Sequence, residues 1–126
     1  MCAALVTLKR RPEFLRVRGG ARWATAAFVI EAKPRPDPGP EPVPRFGFTV
    51  TKQLGGAVIR NRIRRRLRAA ISAAGVPRAR SGVDYVVIAR PAAETMPFVE
   101  LIALVKAAMA KVDAPRRAGE TKTKRT

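Results

Sequence analysis

Six of the nine residues from Arg60 to Arg68 are arginine, yet the apolar residues around them keep helical order. At about 100° per residue, Ile59, Ile63, Leu67, Ala70, Ile71 and Ala74 fall on one stripe. The spacing predicts a helix over 57–74 that docks this stripe on a sheet and turns its guanidinium groups outward. Arg60, Arg64 and Arg68 form a row at i, i+4 and i+8. Asn61 and Arg65 lie beside that row, and Arg62 and Arg66 continue round the helix. Gly75 and Pro77 end it.

The flanking segments say what the helix docks on. Residues 8–18 read as a short helix, with Pro12 and Glu13 in its first turn, Phe14 and Val17 on one face, and Gly19-Gly20 as its stop. Residues 22–32, rich in Ala, Val, Ile and Phe with Trp23 at a strand or core edge, predict one strand or two short ones. Residues 33–44 place proline at every second position, which forbids a helix or a central strand and predicts a stiff loop. Residues 45–51 alternate: Phe46, Phe48 and Val50 face a core, and Gly47, Thr49 and Thr51 face the other way. Residues 52–56 are a turn. Val83 to Ala89 is a nearly continuous apolar strand, expected in the middle of its sheet. Residues 94–111 predict a last helix, with Phe98, Leu101, Ile102, Val105 and Met109 on one face and Glu94 or Thr95 helping its start. After residue 112 the chain is basic and lacks core residues, so a disordered tail over 113–126 is expected, following a single domain over 1–112.

Charge narrows the function. The chain carries 26 Lys and Arg against 9 Asp and Glu, a formal net charge of +17. Between Pro42 and Val83 there are ten basic residues and no acid. Self-repulsion of this size implies a polyanionic partner. A merely solvated face normally mixes charges of both signs. A membrane-surface helix would expose large apolar residues outside its core stripe, and this one does not. With 47% apolar residues, folding rather than polybasic disorder is expected.

Self-sufficient catalysis is not indicated. The chain has no histidine, and its only cysteine is Cys2, so imidazole chemistry, a disulfide framework and cysteine zinc sites are excluded. The carboxylates form no paired motif. Gly55-Gly56 lacks the remainder of a phosphate-loop pattern and reads as a tight turn. No stretch is long and apolar enough to span a bilayer, and the start of the chain lacks the flanks of a signal peptide, so a cytoplasmic setting is expected. Arginine, unlike lysine, pairs bidentately with phosphate and stacks on bases. Its i, i+4 row advances about 6 Å per step, comparable with successive phosphates on a strand. Asn61 suits reading a base edge, holding a phosphate or orienting an arginine. Lys52, at the turn, suits a phosphate contact. Phe14 suits either core packing or stacking on a base.

Together, Gly47-Phe48-Thr49-Val50-Thr51-Lys52, then Gly55, Ala57-Val58, Arg60-Asn61-Arg62 and the following Arg64, Arg65 and Arg68 resemble the bacterial ribonuclease P protein component. Leu8-Lys9 with Phe14 and Val17, and Asp84 through Arg90, extend the likeness to roughly residues 8–110. The resemblance implies an α/β domain, an α+β two-layer sandwich: leading helix, three strands, helix, strand, helix. It also implies a left-handed βαβ crossover like that of the second domain of ribosomal protein S5. It implies a protein that binds ribonuclease P RNA and the 5′ leader of precursor tRNA. The RNA subunit, with Mg2+, then cleaves the phosphodiester. On that reading the protein contributes no catalytic residue, binds no cofactor by itself and needs no membrane or obligate protein partner. Arg60, Asn61, Arg62, Arg64, Arg65, Arg68 and Lys52 would face RNA, while Phe14, Thr49 and Lys52 would line the leader cleft. Gln53, Gly56, Arg18 and Glu31 depart from residues usual in the family, implying a cleft that stacks fewer bases and uses more charge. The alternatives are a structural or ribosomal RNA-binding protein without a role in cleavage, and a DNA-binding module. The latter is weakened because a strand, not a second recognition helix, follows the arginine helix.

Overall fold

The computed structural model describes residues 6–8, 11–35 and 43–112; the centre of the proline loop, Cys2, Lys9 and the segment 113–126 lie outside the described residues. The elements are α1 (Arg11–Val17), β1 (Ala21–Ala24), β2 (Phe28–Pro34), β3 (Arg45–Thr49), α2 (Ala57–Ala70), β4 (Val83–Ala89) and α3 (Phe98–Val112). One sheet has the order β1-β2-β4-β3. β2 is antiparallel to both β1 and β4, and β3 runs parallel to β4. Helix α2 is therefore the crossover of a βαβ unit. β4 is central, as its apolar run predicts.

The alternation along the strands builds two unlike faces. Phe28, Ile30, Phe46, Tyr85 and Val87 are fully buried on one of them. They meet Ile63, Leu67, Ala70 and Ile71 of the helical stripe and Leu101, Val105, Ala108 and Met109 of α3 in a single cluster. Phe46 and Tyr85 stack with ring centroids 4.8 Å apart, and the Tyr85 hydroxyl accepts a bond from the Arg80 amide at 2.9 Å. On the opposite face α1 lies against β4: Leu8, Val17 and Val86 are buried together, with Phe14 and Ile88 packed on them.

Several boundaries differ from the sequence expectation. The 22–32 segment is two strands, because Thr25 makes a turn: its hydroxyl accepts bonds from the Ala27 and Phe28 amides and donates to the Phe28 carbonyl. α2 ends at Ala70 and widens into a π turn over Ile71–Gly75, which keeps Ile71 and Ala74 on the core side. Neither Glu94 nor Thr95 starts the last helix. Residues 91–93 form a separate 3-10 turn, and α3 begins at Phe98, with the Leu101 amide bonded to the Pro97 carbonyl. The proline lacks an amide hydrogen, so a helix continuing from 94 would lose a bond there. Phe98, expected on the core face, is 41% exposed because it occupies the first, outermost turn of α3.

Candidate nucleic-acid interface

The turn before α2 is fixed by one glycine. Gly55 has φ of 140°, and a Cβ there would come within 3.0 Å of Ile59. The backbone can turn so sharply only with hydrogen in that position. This turn brings the exposed Lys52 and the first turn of α2 to the end of β3 that carries Thr49.

The arginines on α2 do not all do the same work. Arg60 is half-buried and donates through Nε to the Gly55 carbonyl at 3.2 Å, bracing the turn. Asn61 accepts a 2.8 Å bond from Arg64 through Oδ1, so it orients an arginine and keeps its N–H groups as donors. Arg62 pairs with Glu94 at 3.1 Å, an acid supplied by the segment before α3. Arg65 is exposed. Arg68 places its guanidinium 6.0 Å from the centroid of the Phe48 ring, within cation–π range. Arg66 is a fastener: it donates to the carbonyls of Ala93 and Met96 and ties α2 to the loop before α3. The family resemblance left Arg66 out of the RNA-facing set, but the sequence did not show its partners, because a row of identical residues does not reveal which one finds buried carbonyls.

The other expected cleft residues lie across the sheet from the α2 side. Phe14 sits on Gly47, where a Cβ would come within 2.4 Å of its ring. The ring is half-buried and packs with Ile88 onto the small cluster under α1, so part of it serves the core and part remains accessible. Thr49 is half-buried, two residues along β3 from Gly47 and on the same face. Phe14 and Thr49 thus border one strip of sheet beside α1, and the turn with Lys52 carries the chain from β3 into α2.

The residue that sequence reasoning missed is Asp84. Its side chain is 1% exposed and receives Arg16 at 2.8 Å, Arg35 at 2.5 Å and Arg45 at 2.8 Å. Arg45 also reaches Glu13 of α1 at 3.4 Å. Burial alone would raise the Asp84 pKa. The hydrogen bonds from Arg45, Arg35 and Arg16, with the charge of Arg45, outweigh that and hold it below the ordinary carboxylate value. The bond to Asp84 in turn raises the Arg45 pKa. The available signal was an acid inside an otherwise apolar central strand, which demands a partner. Glu31, also buried, pairs with Arg22 directly across the β1–β2 ladder at 2.7 Å. Among the described residues no group of three His, Cys, Asp or Glu side chains could hold a metal ion, and no helix is long and apolar enough to cross a membrane.

This geometry defines a class: a small, strongly basic α+β protein whose crossover helix is lined with arginine. The family model for ribonuclease P matches residues 3–113, and the chain belongs to that family. The ribonuclease P protein component of Paramagnetospirillum magneticum is 40% identical over 116 residues, covering 90% of this chain and 87% of the relative. That of Brucella suis is 36% identical over 126 residues, covering 96% and 89%. Among solved structures, the Staphylococcus aureus RNase P protein superposes with a TM-score of 0.66 at 27% identity, covering 86% of this chain and 98% of that one. The Thermotoga maritima protein gives 0.63 at 25% identity, covering 80% and 96%.

Proposed function

We propose that this chain is the protein subunit of ribonuclease P and supports removal of the 5′ leader from precursor tRNA. The observation that carries this reading, beyond the family, is the short link along the chain between two surfaces. The strip bordered by Phe14 and Thr49 runs along β3 to the turn with Lys52, from which the chain enters the arginine-rich α2. A single strand lying on the strip would reach a second, more densely charged RNA surface without leaving the protein. Arg60, Asn61, Arg62, Arg64, Arg65 and Arg68 serve the ribonuclease P RNA and adjoining phosphates. Phe14 offers a ring face to a leader base, and Lys52 a charge to its backbone.

Cleavage in this reading belongs to the RNA subunit and the Mg2+ it holds, while the protein contributes affinity and placement. Residues 1–112 act as one RNA-binding domain in the cytoplasm, with 113–126 as a basic extension. The test is reconstitution: the protein is added to its cognate ribonuclease P RNA and precursor tRNA at low magnesium. Faster release of the leader is expected. No enhancement, with the protein folded and bound to the RNA, rejects the reading.

A further inference from the structure

We propose that Asp84 is a positioning residue for the leader cleft: by gathering Arg16, Arg35 and Arg45 it sets where α1, and with it Phe14, stands over the sheet. This rests on the cleft reading above and adds a device to it. Three elements converge on this one carboxylate. Arg16 comes from α1, Arg35 from the end of β2, and Arg45 from the start of β3. Through Arg45 a second tie runs to Glu13, again on α1. Arg16 and Glu13 thus both tie α1 to the sheet through the Asp84 cluster.

The helix needs such links. α1 has seven residues, too few for stability on its own. Val17 is its one buried side chain, and Phe14 is only half-buried. An apolar contact that small fixes the helix loosely along and about its axis. Directional bonds to a carboxylate that is itself locked in the central strand fix it closely. Phe14 and Arg16 are two residues apart on this short rigid unit, so the Arg16–Asp84 bond and the seat of the Phe14 ring on Gly47 report the same helix position. The arrangement is supporting geometry for a binding group, not a contact with RNA.

The experiment is a double-mutant cycle in the reconstituted holoenzyme, reading the ratio of affinities for precursor and mature tRNA. Arg16 is 40% exposed, so Arg16→Ala leaves the fold intact where Asp84→Asn could unfold it. Phe14→Ala is expected to reduce the precursor preference on the order of tenfold, the scale of one lost base stack. Arg16→Ala is expected to lose a large part of the same preference with ribonuclease P RNA affinity unchanged. The double variant should lose little more than Phe14→Ala alone, and Arg16→Lys should partly restore the ratio. Full additivity would mean that Arg16 contacts RNA independently, and overturns the proposal. So would an unchanged ratio in Arg16→Ala while Phe14→Ala has its effect. A Phe14→Ala variant without effect on the ratio instead sinks the cleft reading itself.

Discussion

The Phe14 ring rests on the backbone of Gly47, so close that a single methyl group at Gly47 would overlap its edge at 2.4 Å. The absent side chain makes the seat for the aromatic ring. In Gly47→Ala the ring must turn away, because the strand below it is locked by β4 on one side and by residues 6–8 on the other. A ring at the end of its side chain can yield, so the stability cost is about 1 kcal/mol, the low end for overpacking. The precursor preference should fall further than this cost implies. Thermal unfolding and tRNA affinities of the same variant check both halves.

Acid should loosen the Asp84 cluster. Its pKa is lowered on folding, so the stabilisation is fully present above the unfolded carboxylate value, about 3.9. It is lost as pH falls through the lower folded value. Urea titrations between neutral pH and pH 3 should show wild-type stability declining at the acidic end. Asp84→Asn should already be weaker at pH 7, by about 3–5 kcal/mol for a broken buried ion cluster, and its profile should be flatter there. Parallel profiles would contradict the assignment.

Arg65 and Arg66 are neighbours with opposite duties. Arg66→Ala strands the carbonyls of Ala93 and Met96 and should cost about 1–3 kcal/mol of stability. Arg65→Ala, at an exposed position, should change stability by less than about 0.5 kcal/mol. In RNA-binding titrations against salt, Arg65→Ala should flatten the logarithmic slope by about one unit if it neutralises one phosphate. An unchanged slope would make Arg65 a bystander.

The N-cap of α2 offers a stabilising change. Gly56 holds an extended conformation with φ of −74°, makes no side-chain capping bond, and has open space where a Cβ would go. Gly56→Asn should cap the helix and gain a few tenths of a kcal/mol, about 0.3–0.5. A small rise in the unfolding midpoint checks this; a fall would show that the cap geometry differs.

The sheet and its helices were legible because their patterns are local. The stripe from Ile59 to Ala74 and the alternation at Phe46, Gly47 and Phe48 follow from helical and strand periods. The start of α3 was not, since Pro97 outweighs the capping potential of Thr95 only once the 3-10 turn over 91–93 takes the chain elsewhere. The arginine surface could be read as a whole, but not its division of labour. Arg60, Arg62 and Arg66 are distinguished by Gly55, Glu94 and Ala93, and two of those partners lie about thirty residues away. The cluster on Asp84 was hidden for the same reason: its arginines lie 39, 49 and 68 residues distant.

The strand order carries a consequence for synthesis. β4 stands between β2 and β3, so a growing chain that has not reached residue 83 holds the β1–β2 hairpin and β3 without the strand that joins them. By then α2 is already made, with its arginines displayed and its apolar stripe lacking half its dock. Chains fold as they emerge, N-terminal parts first. The arginine-rich helix therefore leaves the ribosome, itself largely RNA, before the strand that completes the sheet beneath it. β4 and α3 are what turn a bare basic helix into one held at a set place on the sheet.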